Sequence, residues 1–332
     1  MSSASRAIGT SVTVAAPARL HLGFLDLNGG MGRRFGSIGL AIDRLKTRLS
    51  IACAPSMRVS GPEADRVRAH VETMRSALEY ADDYDVRVDE IVPPHAGLGS
   101  GTQLALAVAA GIRRLHGLPL ELASDAIRLG RGARSGAGIG LFRHGGLVVD
   151  GGRGSEAVPA PVITRLAFPE RWRIILALDT CRQGLHGINE TEAFAQLPPA
   201  SAADAAHLCR LLVMKLLPSV ADADLEGLGS AVAEFQKLIG DYFAPAQGGR
   251  RFASAHVAAA LSLLERAGAV GIGQSSWGPT GYSFAPSAEA ADQIVAAVQR
   301  NGVPEGVDIL ICRALNSGAD IAVQAPADVP ES

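Results

Sequence analysis

Residues 93–117, PPHAGLGSGTQLALAVAAGIRRLHG, place three glycines at alternate positions directly before an apolar run. In that run Leu104, Val108, Ile112 and Leu115 recur at the spacing of one face of an α-helix. Glycines let successive backbone N–H groups turn towards an anion, and a helix N-terminus adds unpaired amides and a positive dipole end. The stretch therefore predicts a phosphate-binding loop followed by a helix that begins near Ser100.

The predicted loop offers an anion both backbone amides and hydroxyl groups. Ser100 or Thr102 can present its hydroxyl to a phosphate oxygen, and Ser100 can also ligate Mg²⁺. The alternative is a structural glycine turn in which Ser100 caps the helix. The chain contains no P-loop motif, and no dinucleotide-binding glycine motif follows a predicted strand. The predicted phosphate-binding residues are Gly97, Leu98, Gly99, Ser100, Gly101, Thr102, Arg134 and Ser135.

The remainder of the chain has the pattern of an α+β protein, with strands grouped rather than alternating strictly with helices. A second glycine-rich stretch covers residues 130–152, and no helix is assigned to it. Alternation and apolar runs predict strands within 11–27, up to about Asp43, at 84–92 and at 171–179. Two more strands are predicted on either side of the loop within 267–286, and a strand pair ends the chain. Helical periodicity predicts helices at 62–81, 119–131, 201–217, 222–240, 249–267 and 287–301.

Composition excludes several classes of protein. Of the 332 residues, 48% are hydrophobic and 19% charged, which favours a folded core, and a net charge of -2 gives no reason to expect nucleic acid as a partner. Only three of the 31 basic residues are lysines, so an anion site must depend on arginine, backbone amides or metal. The four cysteines lack metal-like spacing, and neither a signal peptide nor a membrane-spanning run is evident. We expect a soluble cytoplasmic protein with reduced thiols.

Three motifs resemble those of the GHMP kinase superfamily, which includes galactokinase, homoserine kinase and mevalonate kinase. PPHAGLGSGTQLALA resembles the second motif, APARLHLGFLDLNG at 16–29 the first, and GIGQSSWGPTGYSF at 271–284 occupies the place of the third. They occur in the order typical of the superfamily and together span most of the chain. The resemblance implies a two-domain α+β fold with its active site in the interdomain cleft. Residues 151–162 are rich in glycine and proline, which predicts the boundary between the two domains there. The predicted domains are therefore 1–160 and 161–332.

The kinase pattern is broken at one position. Kinases of this superfamily that use a catalytic aspartate carry it in an S-G-x-D segment, shortly before a glycine pair. The matching stretch here is SGAGIGLFRHGG at 135–146, which has Gly138 at the place of the aspartate. A glycine cannot accept a proton. Trp277 and Pro279 also stand in the third loop, where kinases favour small residues.

One branch of the superfamily, the β-ribofuranosylaminobenzene 5′-phosphate synthases, resembles the chain more closely. Its motifs are present as ARLHLGFLDLNG at 18–29, RSGAGIG with the following DGG at 134–152, and GQSSWGPT at 273–280. The resemblance implies a decarboxylating phosphoribosyltransferase. This enzyme joins phosphoribosyl pyrophosphate to 4-aminobenzoate, releasing CO₂ and pyrophosphate, at the first committed step of methanopterin-type cofactor synthesis. Its nucleophile is a ring carbon that loses CO₂, so the missing base is explained.

The resemblance also predicts the cofactor, the assembly and the residues of the site. Mg²⁺ is expected with the clustered phosphates, and a homodimer is common in the superfamily. Arg19, His21 and Asp26 are the candidate catalytic residues; their alternatives are an ion-pair partner, a structural histidine and a turn-forming aspartate. The candidate substrate-binding residues are Gln274, Ser275, Ser276 and Trp277, with ordinary packing as the alternative for Trp277. Asp150 is expected in a turn, and His95 and His186 are weaker candidates.

Two other functions remain open on the sequence alone. The first is an ATP-dependent small-molecule kinase that recruits a different base, such as Asp26. The second is a non-catalytic nucleotide- or metabolite-binding protein on the same scaffold. Formation of ADP, release of CO₂, or neither would distinguish the three.

Overall fold

A computed structural model describes residues 10–156, 158–184 and 187–325, with the side chains of 187–191 left out; His186 and most of the N-terminal stretch in which no signal peptide is evident lie outside these residues. The strands are β1 Ser11–Ala16, β2 Arg19–Asp26, β3 Phe35–Ala41, β4 Thr47–Ala54, β5 Arg58–Ser60, β6 Asp83–Glu90, β7 Leu147–Asp150, β8 Val162–Leu166, β9 Arg173–Asp179, β10 Val270–Gln274, β11 Gly281–Ala285, β12 Val307–Cys312 and β13 Asp320–Gln324. The helices are α1 Ala64–Ala77, α2 Ser100–Leu115, α3 Leu122–Arg128, α4 Ala137–His144, α5 Gly187–Gln196, α6 Ala202–Leu211, α7 Leu217–Ala221, α8 Leu225–Phe243, α9 Ala255–Arg266 and α10 Ala288–Arg300.

The predicted elements occur in the predicted order, and six elements come in addition among the described residues: strands β4, β5, β7 and β8 and helices α4 and α5. Helix α4 lies inside the glycine-rich stretch 130–152, and α5 follows β9. Glycine lowers the stability of a helix interior by about 1 kcal/mol relative to alanine. Helix propensity therefore does not predict α4, because its sequence is rich in glycine. The helix predicted at 201–217 is interrupted by a π-helical segment at Leu212–Leu216 before α7.

Three sheets organise the chain. The first has the order β13-β1-β4-β6-β5, the second β2-β3-β7-β8 and the third β10-β11-β9-β12. The strand pairs are antiparallel except for β5 with β6. The final two strands do not pair with each other: β12 joins β9, whereas β13 returns to β1. The expectation of an α+β protein with grouped strands is confirmed.

The hydrophobic core has three main clusters. One lies between the first sheet and helices α1 and α2, where Val14 and Ile51 of the sheet share a cluster with Val108 of α2. Another lies between the third sheet and helices α9 and α10. The largest joins residues of both halves of the chain, since Leu20 shares it with Phe235.

Sheets and core both extend across the predicted boundary at 160/161. Strand β8 pairs with β7, and β13 pairs with β1 from the other end of the chain. The boundary itself stays a prediction. Each of the first two sheets contains strands from both predicted domains. Within the described residues, the structure contains no helix that combines the length and the apolar character needed to cross a membrane.

Candidate functional site

A cavity of about 810 Å³ lies where the three motifs meet. Its walls come from β2, the loop before α2, the glycine-rich segment before α4, helix α5 and the loop between β10 and β11. Arginine side chains and glycines make up much of the wall, and Phe24 and Trp277 contribute aromatic rings. The lining residues are Arg19, His21, Phe24, Arg66, His95, Gly97, Gly99, Ser100, Gly101, Thr102, Gly130, Arg131, Gly132, Ala133, Arg134, Ser135, Glu192, Ser276, Trp277 and Gly278.

The loop before α2 has the geometry that the sequence predicts. Helix α2 begins at Ser100, and Gly99 occupies the N-cap position in the left-handed region with φ 79°. Gly99 provides no side-chain cap, so the helix begins without one and Ser100 is not its cap. The first amides of a helix have no acceptor within it, and Ser100 and Gly101 both line the cavity. Leu98 instead points into the core.

Strand β2 brings Arg19 and His21 to the cavity beside this loop. The N–H of Arg19 donates to the carbonyl of Leu98 at 3.0 Å. The side chain of Arg19 passes directly over Gly99, because a Cβ atom at residue 99 would stand 2.6 Å from Nε of Arg19. The loop therefore needs glycine at this position for two reasons, its positive φ and the close approach of Arg19.

His21 is a buried, uncharged histidine. Burial lowers its pKa to about 3, and the positive charge of Arg19 contributes in the same direction. Its ring packs against Phe24, with the centroids 4.5 Å apart. A neutral imidazole at this place can exchange hydrogen bonds but is too weak a base to hold a proton near pH 7.

Ser275 ties the three motifs together. Its hydroxyl accepts a hydrogen bond from the N–H of His21 at 3.0 Å and donates to the carbonyl of Gly97 at 2.8 Å. The side chain is fully buried and does not line the cavity. Ser275 thus positions the first and second motifs relative to each other.

The other third-motif residues divide between the cavity and its support. Ser276 and Trp277 line the cavity. Gln274 lies behind them, where its side chain accepts from the N–H of Ala253 and donates to the carbonyl of Ser276. Trp277 is 5% exposed and packs against Phe243, so the packing that the sequence left open as its alternative role is present.

The aromatic side of the cavity is a connected group of rings. Trp277 contacts Phe194 and Phe243 at centroid distances of 5.1 and 4.5 Å, and Phe24 contacts both of those phenylalanines. The guanidinium of Arg134 lies 5.2 Å from the centre of the Phe194 ring, and Arg134 also lines the cavity. A flat apolar ligand with an anionic substituent fits such a wall.

Asp150 organises the segment that precedes α4. Its buried carboxylate accepts hydrogen bonds from the hydroxyl of Ser135 and from the N–H groups of Gly136 and Ala137. The same carboxylate accepts from the N–H of Gly152, which is the turn contact expected from the sequence. Asp150 therefore caps α4 as well as a turn, and it holds Ser135 at the cavity wall.

Asp26 does not join the other candidates. Its carboxylate accepts from the N–H groups of Asn28 and Gly29, which is an Asx turn at the end of β2. Asp26 is not among the residues that line the cavity. The turn-forming alternative describes the contacts observed for this residue.

Several residues of the cavity were not singled out in the sequence. Arg66 comes from α1, Arg131 from the glycine-rich segment, and Phe24 from β2, while Glu192 comes from α5. The position of Arg131 within GRGARSG is a signal that could have identified it. Arg66 lies on a polar helix and had no such signal. His95, a weaker candidate, is also in the wall.

Family models match both halves of the chain. The model described as the GHMP kinases N terminal domain matches residues 65–146, and the model described as GHMP kinases C terminal matches residues 216–304. Solved structures agree with these matches at the level of the fold. L. major mevalonate kinase in complex with R-mevalonate superposes with a TM-score of 0.68 at 17% identity, over 92% of this chain and 96% of that one. Homoserine kinase from Cytophaga hutchinsonii gives 0.63 at 17% identity, over 97% and 99%. The predicted GHMP kinase-like α+β fold is confirmed.

Two curated relatives are closer in sequence. The beta-ribofuranosylphenol 5′-phosphate synthase of Archaeoglobus fulgidus is 32% identical over 92% of this chain and 98% of the relative. The protein of the same name from Methanothermobacter thermautotrophicus is 32% identical over 81% of this chain and 87% of its own length. Both names refer to a phenol, whereas the motifs of the chain resemble a family named after an aminobenzene.

Proposed function

This chain belongs to the family of the beta-ribofuranosylphenol 5′-phosphate synthases, and on that premise we propose that it is a decarboxylating phosphoribosyltransferase. The proposed reaction joins phosphoribosyl pyrophosphate to a para-substituted benzoate, with release of CO₂ and pyrophosphate. We assign it to the first committed step of methanopterin-type cofactor synthesis.

The observation that carries the proposal is the surroundings of Gly138. Its α-carbon is buried, and a Cβ atom there would stand 3.0 Å from Cγ2 of Thr102 and 3.3 Å from Nε of Arg19. By the sequence resemblance, this is the place at which a kinase holds the aspartate that takes a proton from an alcohol. Here a guanidinium occupies the neighbourhood of that missing base. The arrangement suits anionic substrates and does not suit deprotonation of a hydroxyl nucleophile.

The proposed chemistry needs no base at the attacking atom. The bond between C1 of the ribose and the diphosphate oxygen breaks, and its electron pair leaves with pyrophosphate. The ring carbon that bears the carboxylate forms the new bond to the ribose. The bond to the carboxylate then breaks, its electron pair restores the aromatic ring, and CO₂ leaves. The protein has to stabilise the departing diphosphate and orient the two reactants.

The two sides of the cavity match the two substrates. The amides that begin α2 and the side chain of Arg19 supply donors for phosphate oxygens. Phe24 and Trp277 offer an apolar surface for the benzoate ring. Arg134, over Phe194, is suitably placed in this proposal to hold the benzoate carboxylate.

Mg²⁺ is part of the proposal as a companion of the diphosphate. Among the described lining residues, Glu192 carries the one carboxylate, and Ser100 supplies a hydroxyl beside the amides of α2. This donor set fits a Mg²⁺ ion held mainly by substrate phosphates with few protein ligands, which is common for this ion. When bound, the ion would supply counter-charge to the diphosphate.

The proposal has two forms, which differ in the para substituent of the benzoate: an amino group or a hydroxyl group. The motifs of the chain resemble a family that uses 4-aminobenzoate, which remains a prediction for this protein. The name of the two relatives favours 4-hydroxybenzoate, because replacing its carboxylate with ribose gives a ribofuranosylphenol. Both substituents donate electrons to the reacting carbon, so the chemistry above holds for either.

The test measures CO₂ from each benzoate labelled in its carboxyl group, with purified protein and Mg²⁺. We expect labelled CO₂ only when phosphoribosyl pyrophosphate is present, and the ratio of the kcat/KM values identifies the acceptor. In parallel, ADP is measured with ATP and mevalonate, homoserine or galactose. ADP formation without CO₂ release would replace the synthase by the kinase, and neither product would favour a binding protein.

A further inference from the structure

An arginine pair stands over the start of α2. Arg66 comes from the first turn of α1, and Arg131 follows α3. Both guanidiniums converge on Gly101: a Cβ atom at that residue would stand 3.0 Å from Nη1 of Arg131 and 3.2 Å from Nη2 of Arg66. Because residue 101 is glycine, the space between the two cations and the first turn of α2 stays open to the cavity.

The charges of this pair are incompletely balanced by the described residues. Arg66 forms an ion pair with Glu63 at 2.6 Å. Arg131 forms no ion pair with a described residue, and its buried Nε has no hydrogen-bond partner there. Burial lowers the pKa of Arg131, and the charge of Arg66 lowers it further.

The neighbouring His70 adds no negative charge to the site, and its pKa is lowered by burial and by the two arginines. Burial lowers the pKa of His70 to about 4, and Arg131 and Arg66 lower it as well. His70 is therefore neutral near pH 7, and the corner keeps a surplus of positive charge. Two like charges beside a positive helix terminus cost free energy unless an anion lies between them.

The site suits a ligand with several adjacent anionic oxygens. Two guanidiniums offer planar forks that match phosphate oxygens, and the first residues of α2 line the same cavity. Arg19 lies apart from this pair, beside Gly99 and Gly138. With Arg134 assigned to the benzoate carboxylate, the arginine pair and Arg19 remain for the two phosphate-bearing ends of phosphoribosyl pyrophosphate.

We propose that Arg66 and Arg131 bind the diphosphate group of phosphoribosyl pyrophosphate, and that the 5′-phosphate binds elsewhere. The inference rests on the proposed function for the identity of the substrate. The diphosphate is the more highly charged end, and its charge increases when it leaves the ribose. The place where two guanidiniums converge is therefore assigned to it.

The test uses Arg131→Gln and Arg66→Gln, with Arg114→Gln at the exposed far end of α2 as the matched control. Calorimetry with Mg²⁺ present measures the Kd of inorganic pyrophosphate and, separately, of ribose 5-phosphate. We expect each cavity variant to raise the Kd of pyrophosphate about tenfold or more, with ribose 5-phosphate and the control nearly unchanged. Circular dichroism verifies that the variants are folded, and Arg131→Lys, which keeps the charge without the fork, should recover part of the affinity.

The outcomes separate this inference from the proposed function. Unchanged pyrophosphate affinity in both variants, or a larger loss for ribose 5-phosphate, would overturn the assignment of the pair to the diphosphate. If wild type releases CO₂ in that case, the proposed function stands without it. If wild type binds pyrophosphate through these arginines but releases no CO₂ from either benzoate, the diphosphate site stands and the proposed function fails.

Discussion

At the scale of single residues, two absent side chains make room for one arginine. Gly99 and Gly138 lie on different elements, yet a Cβ atom at either would stand within 3.3 Å of Nε of Arg19. A side chain at position 138, the place of the kinase aspartate by the resemblance of the motifs, would therefore contact Arg19. The lack of an acid at position 138, beside a cation, is the smallest feature of the molecule that bears on its reaction.

We expect Gly99→Ala to weaken the binding of phosphoribosyl pyrophosphate about tenfold or more, because its Cβ displaces Arg19 from the loop. The substitution also places alanine in the left-handed region, at a cost of about 1–2 kcal/mol in stability. Gly117→Ala is the matched control: Gly117 has φ 67° and nothing within 4 Å of the added atom, at the other end of α2. Equal affinities for the two variants by calorimetry would contradict a role for Gly99 in the site.

Gly138→Asp should reduce kcat/KM for CO₂ release by about 100-fold, because the new carboxylate would pair with Arg19 and repel the substrates. Gly138→Asn has the same size without the charge, so it measures the crowding against Thr102 alone. We expect the asparagine variant to retain more activity than the aspartate variant. Equal losses would show that space, rather than charge, is what position 138 contributes.

The low pKa of His21 predicts how stability depends on pH. Its pKa is 6.5 when unfolded and about 3 when folded, so the unfolded chain binds the proton more tightly between these values. The free energy of unfolding should be greatest above pH 6.5 and fall by up to about 1.4 kcal/mol per pH unit below it. His70, whose pKa is lowered to about 4, acts in the same direction.

Urea unfolding at several pH values from about 7.5 to about 4.5 tests this dependence. His21→Gln should have a visibly smaller slope than wild type, whereas His256→Gln, at an exposed position, should not differ from wild type. If His21→Gln kept the full slope, the buried neutral histidine would not be its source.

At the scale of elements, short connections hold the cavity walls in place. Ser275 joins the β10–β11 loop to β2 and to the loop before α2. Asp150 at the end of β7 caps α4. In both cases one buried polar side chain satisfies backbone groups of other elements, and neither side chain lines the cavity.

Ser275→Ala should lower the free energy of unfolding by about 1–3 kcal/mol, because it leaves the N–H of His21 and the carbonyl of Gly97 without their partner. CO₂ release should fall with it, since the loop and β2 lose their common anchor. Ser283→Ala is the control, because the buried hydroxyl of Ser283 has no hydrogen-bond partner among the described residues. A control variant as destabilised as Ser275→Ala would contradict the anchoring role.

At the scale of the whole molecule, the largest core joins both halves of the chain. Strands from the first half and helix α8 from the second share this core, and β13 pairs with β1 from the opposite end of the sequence. The cavity is likewise lined from both halves. The binding site and the folded state therefore depend on the same contacts.

We expect this shared core to give one cooperative unfolding transition. Both tryptophans, Trp172 and Trp277, belong to the shared core, whereas far-UV circular dichroism reports on the whole chain, including α1 and α2. The urea midpoints of the two signals should coincide. A second transition seen by circular dichroism alone would show that the first sheet unfolds separately.

The sequence by itself determined the motifs and most of the elements, but not strands β4, β5, β7 and β8 or helices α4 and α5. The period of Leu104, Val108 and Ile112 predicts α2, because burial of one helical face repeats every three to four residues. The glycines before it predict the loop, since few other residues permit its backbone. The missing acid at position 138 is also visible in the sequence, because a motif fixes which residue type belongs there.

Only the tertiary structure decided which side chains meet. Arg66 and Arg131 are 65 positions apart in the chain and converge on Gly101. Asp26 lies inside the first motif, but its carboxylate forms an Asx turn and does not line the cavity. Ser275 belongs to a binding motif, but its hydroxyl binds two backbone groups. Local sequence sets backbone preferences through contacts of a few residues, whereas the partners of a polar side chain are set by the packing of distant elements.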